Sequence, residues 1–319
     1  MNNANRLENF PVSFFAMVMG MAGITIAWQK CASLLHFGSS VYALLVPVTL
    51  AIFAVLSLLY GWKLVRYRQA VSKELHNPIK LNFFPAFSIS LLLISIVLLP
   101  SARPVAHLLW LLGIAIHLGF TLYVMKVWIH HEGLEIHHIN PAWFIPVVGN
   151  VLVPIAGTRL GYTEISWFFF SIGIVFWLVL FTIIFYRVLF HQPLPEKLMP
   201  TFFILIAPPA VGFLSYVSLV DGLDAFARVL YFLALFLTLL LATQYRHFFR
   251  LRFFLSWWAY SFPLAAVTIS TMEMYELTGK NGFHYLGAGL LFLLTLVILM
   301  LLYKTFLAVS RHHICVEEG

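Results

Sequence analysis

Apolar residues fall into ten long runs along this chain, separated by short stretches rich in charge, histidine or glycine. The runs predict helices at 11–35, 41–66, 83–100, 104–129, 142–160, 164–190, 200–220, 223–246, 255–278 and 282–308. A bilayer core takes roughly 20 apolar residues per helix, so the pattern predicts ten transmembrane helices with no room for a soluble catalytic domain. Taken in order they pair as five tandem hairpins, at about 11–66, 83–129, 142–190, 200–246 and 255–308. The expected fold is an all-α integral membrane protein forming one domain over residues 1–319. The expected activity is not enzymatic.

Odd and even runs differ in kind. Pro11, Pro85, Pro146, Pro208 and Pro263 lie 74, 61, 62 and 55 residues apart, each near the start of an odd run, and three directly follow Phe10, Phe84 and Phe262. Proline within a membrane helix removes a backbone hydrogen bond and bends the chain. The freed carbonyls are tolerated only where protein or water covers them. Small residues reinforce the contrast. The first run carries Ala16, Gly20, Gly23 and Ala27 at helical spacing, and the ninth carries Ala259, Ala266 and Ser270 around one large member, Phe262. Gly149 and Gly212 mark the fifth and seventh runs, whereas the sixth is bulky on every side, as a lipid-facing helix can be. Small residues also permit plain close packing of helices. Their recurrence on proline-bearing runs predicts an inner ring of odd helices lining a pore and an outer ring of even helices.

Composition agrees: 62% hydrophobic, 10% charged, mean hydropathy +0.94. Of the 19 Lys and Arg, only Lys30, Arg103, Arg159, Arg228 and Lys280 fall on the side of the odd-to-even loops. The richer side faces the cytoplasm, which puts both termini inside. Met1–Asn9 shows no signal-peptide pattern. The formal charge of +7 favours anions on average. No basic residue falls in the middle of an odd run, so a permeating anion is expected to meet backbone, aromatic walls and the hydroxyls of Ser13, Ser88, Thr268 and Ser270.

Other chemistry is weakly signalled. Two cysteines, Cys31 and Cys315, are too few for a disulfide framework. The His130-His131-Glu132 and His137-His138 run and the His312-His313 pair lack a metal-site spacing, so no metal is expected. Haem is not expected either: His107 and His117, ten residues apart on one helix, lie about 80° off a common face. His117 reads as a packing histidine, and Glu273 as an acid near the outer mouth. No cofactor and no nucleic-acid partner is expected.

The segment Trp257-Trp258-Ala259-Tyr260-Ser261-Phe262-Pro263 resembles the pore-helix signature of the slow-type anion channel family. That family includes tellurite-resistance (TehA-like) proteins and C4-dicarboxylate and sulfite transporters. Further stretches agree in order: Phe10-Pro11 with Phe15 and Gly20; Asn77-Pro78-Ile79-Lys80-Leu81-Asn82-Phe83-Phe84; Asn140-Pro141 with Val147-Val148-Gly149-Asn150; and Leu194-Pro195-Glu196-Lys197 leading into Ala207-Pro208. The resemblance implies five hairpins around a pore, a homotrimer with one pore per protomer, and a bacterial inner-membrane location. It places the gating phenylalanine on Phe262; Phe84, which holds the equivalent place before Pro85 in the second hairpin, is a second constriction candidate. Its partners would be membrane lipid and small inorganic or organic anions. Two activities stay open: a passive channel for chloride, nitrate or similar anions, and a proton-coupled carrier of dicarboxylate, sulfite or tellurite-type anions.

Overall fold

The computed structural model describes residues 6–35, 37–130, 133–311 and 314–315, so His131, Glu132 and the His312-His313 pair lie outside the described residues. The first two hairpins comprise α1 (Phe15–Leu35) with α2 (Ser39–Arg66), and α4 (Ala86–Leu98) with α5 (Arg103–His130); a short α3 (Arg68–His76) joins them. In the third hairpin α6 (Phe144–Val148) and α7 (Val153–Gly157) pack on α8 (Thr163–Phe190). The fourth pairs α9 (Ala207–Val220) with α10 (Ala225–Ala242). After α11 (Tyr245–Phe249), the fifth pairs α12 (Ser261–Thr278) with α13 (Asn281–Ser310). By length and composition eight segments can cross a membrane. The stretch Pro141–Gly157 is shorter, and α12, which carries Glu273 and Glu276, is not one of the eight.

The five odd segments form a closed ring. Neighbours touch in the order α1, α4, α6–α7, α9, α12 and back to α1. Each even helix packs against its own hairpin partner and the next inner segment, covering a seam of the ring. Burial follows. Between 67% and 89% of the apolar window is buried in the three long inner segments, against 11–33% in the five outer helices. Outer side chains such as Leu58, Phe190 and Phe292 are exposed, which costs little where the surrounding solvent is hydrocarbon.

Every inner segment begins with 3-10 winding before turning α-helical, a feature beyond the proline bends that the sequence predicts for the odd runs. The 3-10 stretches are Val12–Phe14, Lys80–Phe83, Pro141–Trp143, Glu196–Ile206 and Leu255–Tyr260. The prolines cluster at these changes of winding: Pro11 precedes the first, Pro85 caps α4, Pro208 is second in α9 and Pro263 third in α12. Pro146 sits inside α6, and the third inner segment returns to 3-10 winding at Gly149–Leu152.

Interrupted winding leaves carbonyls without i+4 partners. Side chains from neighbouring helices, and Asn150 of the segment itself, cover them here. The Thr121 hydroxyl donates to Pro146 O (2.7 Å), Asn150 Nδ2 to Val147 O (2.7 Å), Trp110 Nε1 to Val153 O (3.0 Å), and Ser215 to Val151 O. Hydroxyls within regular turns bond back to the i−4 carbonyl instead, as Ser90, Thr268 and Thr271 do. At the end assigned to the cytoplasm, buried Lys63 of α2 donates to Phe10 O (2.8 Å) and pairs with Glu74 of α3 (3.0 Å). Tyr60 donates to the other carboxylate oxygen (2.9 Å). That cluster fixes the chain just before Pro11. At the opposite end Lys30 of α1 pairs with Glu273 (2.6 Å) and with Glu276, both on α12.

Candidate functional site

An apolar cavity lies on the axis of the ring and takes wall residues from all five inner segments: Met19, Ile89, Gly149, Pro208 and Phe262 are examples in order. About 70 Å³ of it admits the centre of a water-sized molecule, room for a few waters at the roughly 10–15 Å³ that one requires. No charged, hydroxyl or amide side chain lines it among the described residues. A polar-poor cavity of this kind tends to stay dry, and a dry constriction stops ions by excluding the water that would carry them.

The anticipated site residues divide between axis and seams. Phe262, half-buried, lines the cavity, together with Pro263, Ala259, Ala16, Gly149 and Pro208. Phe84 does not. It packs edge-on to Tyr60 of α2 (centroids 6.3 Å apart) and against Phe120 of α5 (6.2 Å), away from the cavity. Its neighbour Phe83 lines the wall instead, so the constriction candidate from this segment moves by one residue.

Gly20 and Gly23 also lie off the axis. A methyl group at Gly20 would approach Ser261 Cβ to 2.7 Å, and one at Gly23 would come within 2.7 Å of Ala265 Cβ. Both serve the close crossing of α1 and α12. Gly212 faces Ile174 and Leu230 on outer helices. Ser270 Oγ lies within hydrogen-bond reach of Ala210 O (2.9 Å) and Ala266 O (2.8 Å), in the α9–α12 seam, and Ala266 is buried without reaching the cavity. The expected hydroxyl lining is likewise corrected: Ser13, Ser88, Thr268 and Ser270 are all absent from the wall. Pro11, Pro85 and Pro146 stand back from the cavity as well.

The tight crossing gives a direct test. Gly20→Ala should destabilise the fold by about 1–3 kcal/mol, because both clashing atoms are anchored to helix backbones. Gly61→Ala and Gly119→Ala, where nothing lies within 4 Å, should be neutral. Thermal unfolding in detergent, followed by intrinsic tryptophan fluorescence, separates the two outcomes.

Sequence reasoning missed Phe83 and Met19. The 3-10 turn before α4 rotates side chains by about 120° per residue instead of 100°, so an α-helical wheel misassigns its inward face.

Comparison with known proteins matches this architecture. A family model described as SLAC1, voltage-dependent anion channel, covers residues 9–306. The S-type anion channel SLAH3 of Arabidopsis thaliana is 29% identical over 306 residues, covering 94% of this chain and 48% of the plant protein. An uncharacterized transporter of Methanocaldococcus jannaschii is 26% identical, with 94% of each chain covered. The tellurite resistance protein TehA homolog of Haemophilus influenzae is 27% identical, covering 92% of this chain and 90% of its own. The chain spans about half the length of SLAH3 and of two further plant relatives, about three quarters of two others, and nearly all of the microbial ones.

Proposed function

Because this chain belongs to the SLAC1 family of anion channels and transporters, and so is a multi-pass membrane transport protein, we propose that it is a passive channel for small anions such as chloride or nitrate. One observation carries the reading: the Phe262 ring stands in a cavity walled by all five inner segments. In this reading Phe262 is the gate. Its flat apolar face denies an ion the water shell it needs, and the nearby wall holds no charge to replace that shell. Anion preference comes from the net charge of +7, which raises the local anion concentration at the mouths.

The same proposal counts ten spans, with Pro141–Gly157 and α12 as the fifth and ninth. It orients both termini to the cytoplasm of a bacterial inner membrane, as the distribution of Lys and Arg favours. Assembly as a homotrimer with one conduit per protomer follows the family resemblance.

Planar-bilayer recording of the purified protein tests the channel reading. Under asymmetric chloride, and separately nitrate, the current should reverse at the anion equilibrium potential, and that reversal potential should not move with a pH gradient. A reversal at the cation potential would exclude an anion channel. A reversal that follows pH would make it a proton-coupled carrier.

A further inference from the structure

One titratable side chain within the bundle has a ring nitrogen without a partner, immediately behind the cavity wall. His117 lies midway along α5 and is fully buried. Its Nδ1 is 2.9 Å from Ser88 Oγ, and that hydroxyl donates to Pro85 O at 2.8 Å. With the hydroxyl hydrogen directed to Pro85 O, Nδ1 carries the imidazole proton and Nε2 is a bare acceptor. Nothing bonds Nε2. An unpaired buried acceptor costs about 1–3 kcal/mol, a penalty that an apolar ring at this position would avoid.

The direction of Nε2 is informative. A methyl group placed on Gly149 would lie 2.5 Å from Nε2 and 2.7 Å from Ile89 Cδ1. Gly149 and Ile89 both line the cavity. The imidazole is therefore separated from the conduit by a glycine and the tip of one aliphatic chain, and the missing side chain at 149 makes that approach possible. Here the inner segment passes from α6 to 3-10 winding and back to α7.

The groups packed around the ring are the Ser88 hydroxyl of α4, the Thr121 hydroxyl one turn along α5, and the Asn150 amide, which donates to Thr121 Oγ1 (3.0 Å). None of them titrates at accessible pH, and no charged residue acts on the ring among the described residues. A proton on Nε2 would be a buried, unpaired cation, which persists only when a counter-charge is present. An anion beside Gly149 in the conduit is the counter-charge this geometry can supply.

We infer that His117 is a titratable anion-recognition site, which takes a proton on Nε2 as a small anion reaches the cavity and releases it as the anion leaves. The proton comes from hydronium on the pathway: an O–H bond breaks and the Nε2–H bond forms, water is left behind, and the transfer reverses when the anion leaves. Proton and anion then favour each other's binding reciprocally, and acid promotes permeation. This rests on the proposed conduit, but its test is separable from the test of that conduit.

The test uses nitrate currents through the Phe262→Ala protein, compared between about pH 7.5 and about pH 5.5, the range in which imidazoles titrate. The current should rise at least about threefold on acidification, and in F262A/H117Q and F262A/H117N it should be the same at both pH values. A nitrate current in F262A that ignores pH overturns the inference while leaving the conduit standing, and so does an acid response that survives in either double variant. Absence of nitrate current in F262A at every pH overturns both. If neither double variant inserts, a pH-independent nitrate current in F262A still overturns the inference, and so does an acid response that persists in F262A/G149A, where a methyl group would stand between Nε2 and the cavity.

Discussion

Phe262→Ala should raise chloride and nitrate conductance by about 10- to 100-fold in planar bilayers. Each tenfold step corresponds to about 1.4 kcal/mol of barrier, and removing a benzyl group from an apolar waist removes a dehydration barrier of a few kcal/mol. The comparison that makes this specific lies one segment away. Phe84→Ala should leave conductance close to wild type, since Phe84 packs between Tyr60 and Phe120. Its cost should appear as stability, about 3–5 kcal/mol for a buried phenylalanine. Phe83→Ala trims a side chain that does reach the wall and should give a smaller rise than Phe262→Ala. An unchanged conductance in Phe262→Ala, at equal membrane insertion, removes the gate from this residue.

The largest effect on stability is expected at Lys63→Met. Lys63 is 1% exposed and holds both the Phe10 carbonyl and the Glu74 carboxylate. Removing one member of a buried ion pair strands the other, at a cost of about 3–5 kcal/mol. Glu74 would keep only the Tyr60 hydroxyl among the contacts described above. Because Phe10 also loses its donor, the first inner segment should loosen where it meets α3. Replacing both charges, as in Lys63→Met with Glu74→Leu, should recover most of the loss, since a well-packed apolar pair often matches a buried ionic one. Chemical unfolding in mixed micelles, run as a double-mutant cycle, measures the coupling. Near-additive losses would show that the pair does not act as a unit.

Much of this architecture is legible in the amino-acid order. Apolar run lengths and polar punctuation mark the hairpins, and the recurring prolines separate inner from outer segments before any contact is known. Phe262 is legible for two reasons: it stands alone among small residues at helical spacing, and its surrounding motif resembles that of a known family. Other positions are not legible, for physical reasons. Small residues look alike whether they face an axis or a neighbouring helix, so Gly20 and Gly23 read as lining although they serve the α1–α12 crossing. Phe84 stands before Pro85 as Phe262 stands before Pro263, which points to it, but the 3-10 winding ahead of α4 turns its neighbour Phe83 to the wall instead. Lys63 reads as an interfacial charge that sets topology, because nothing local reveals that α3 folds back to bury it. Lys30 and Glu273 are each assigned to the outer end by sequence, but their pairing spans more than 240 residues of chain. His117 reads as a packing residue, and half of it is: Nδ1 serves structure, while the vacancy at Nε2 exists only in three dimensions.

The closed ring of five unlike segments has a consequence for how such a protein can change. In a channel built from identical subunits around one axis, a single substitution is repeated at every position of the rim. Here a substitution alters one wall out of five, so the bore can be adjusted in small, independent increments. Chemical asymmetry around the passage is thus available without gene duplication, and a single wall can be specialised while the other four preserve the seal.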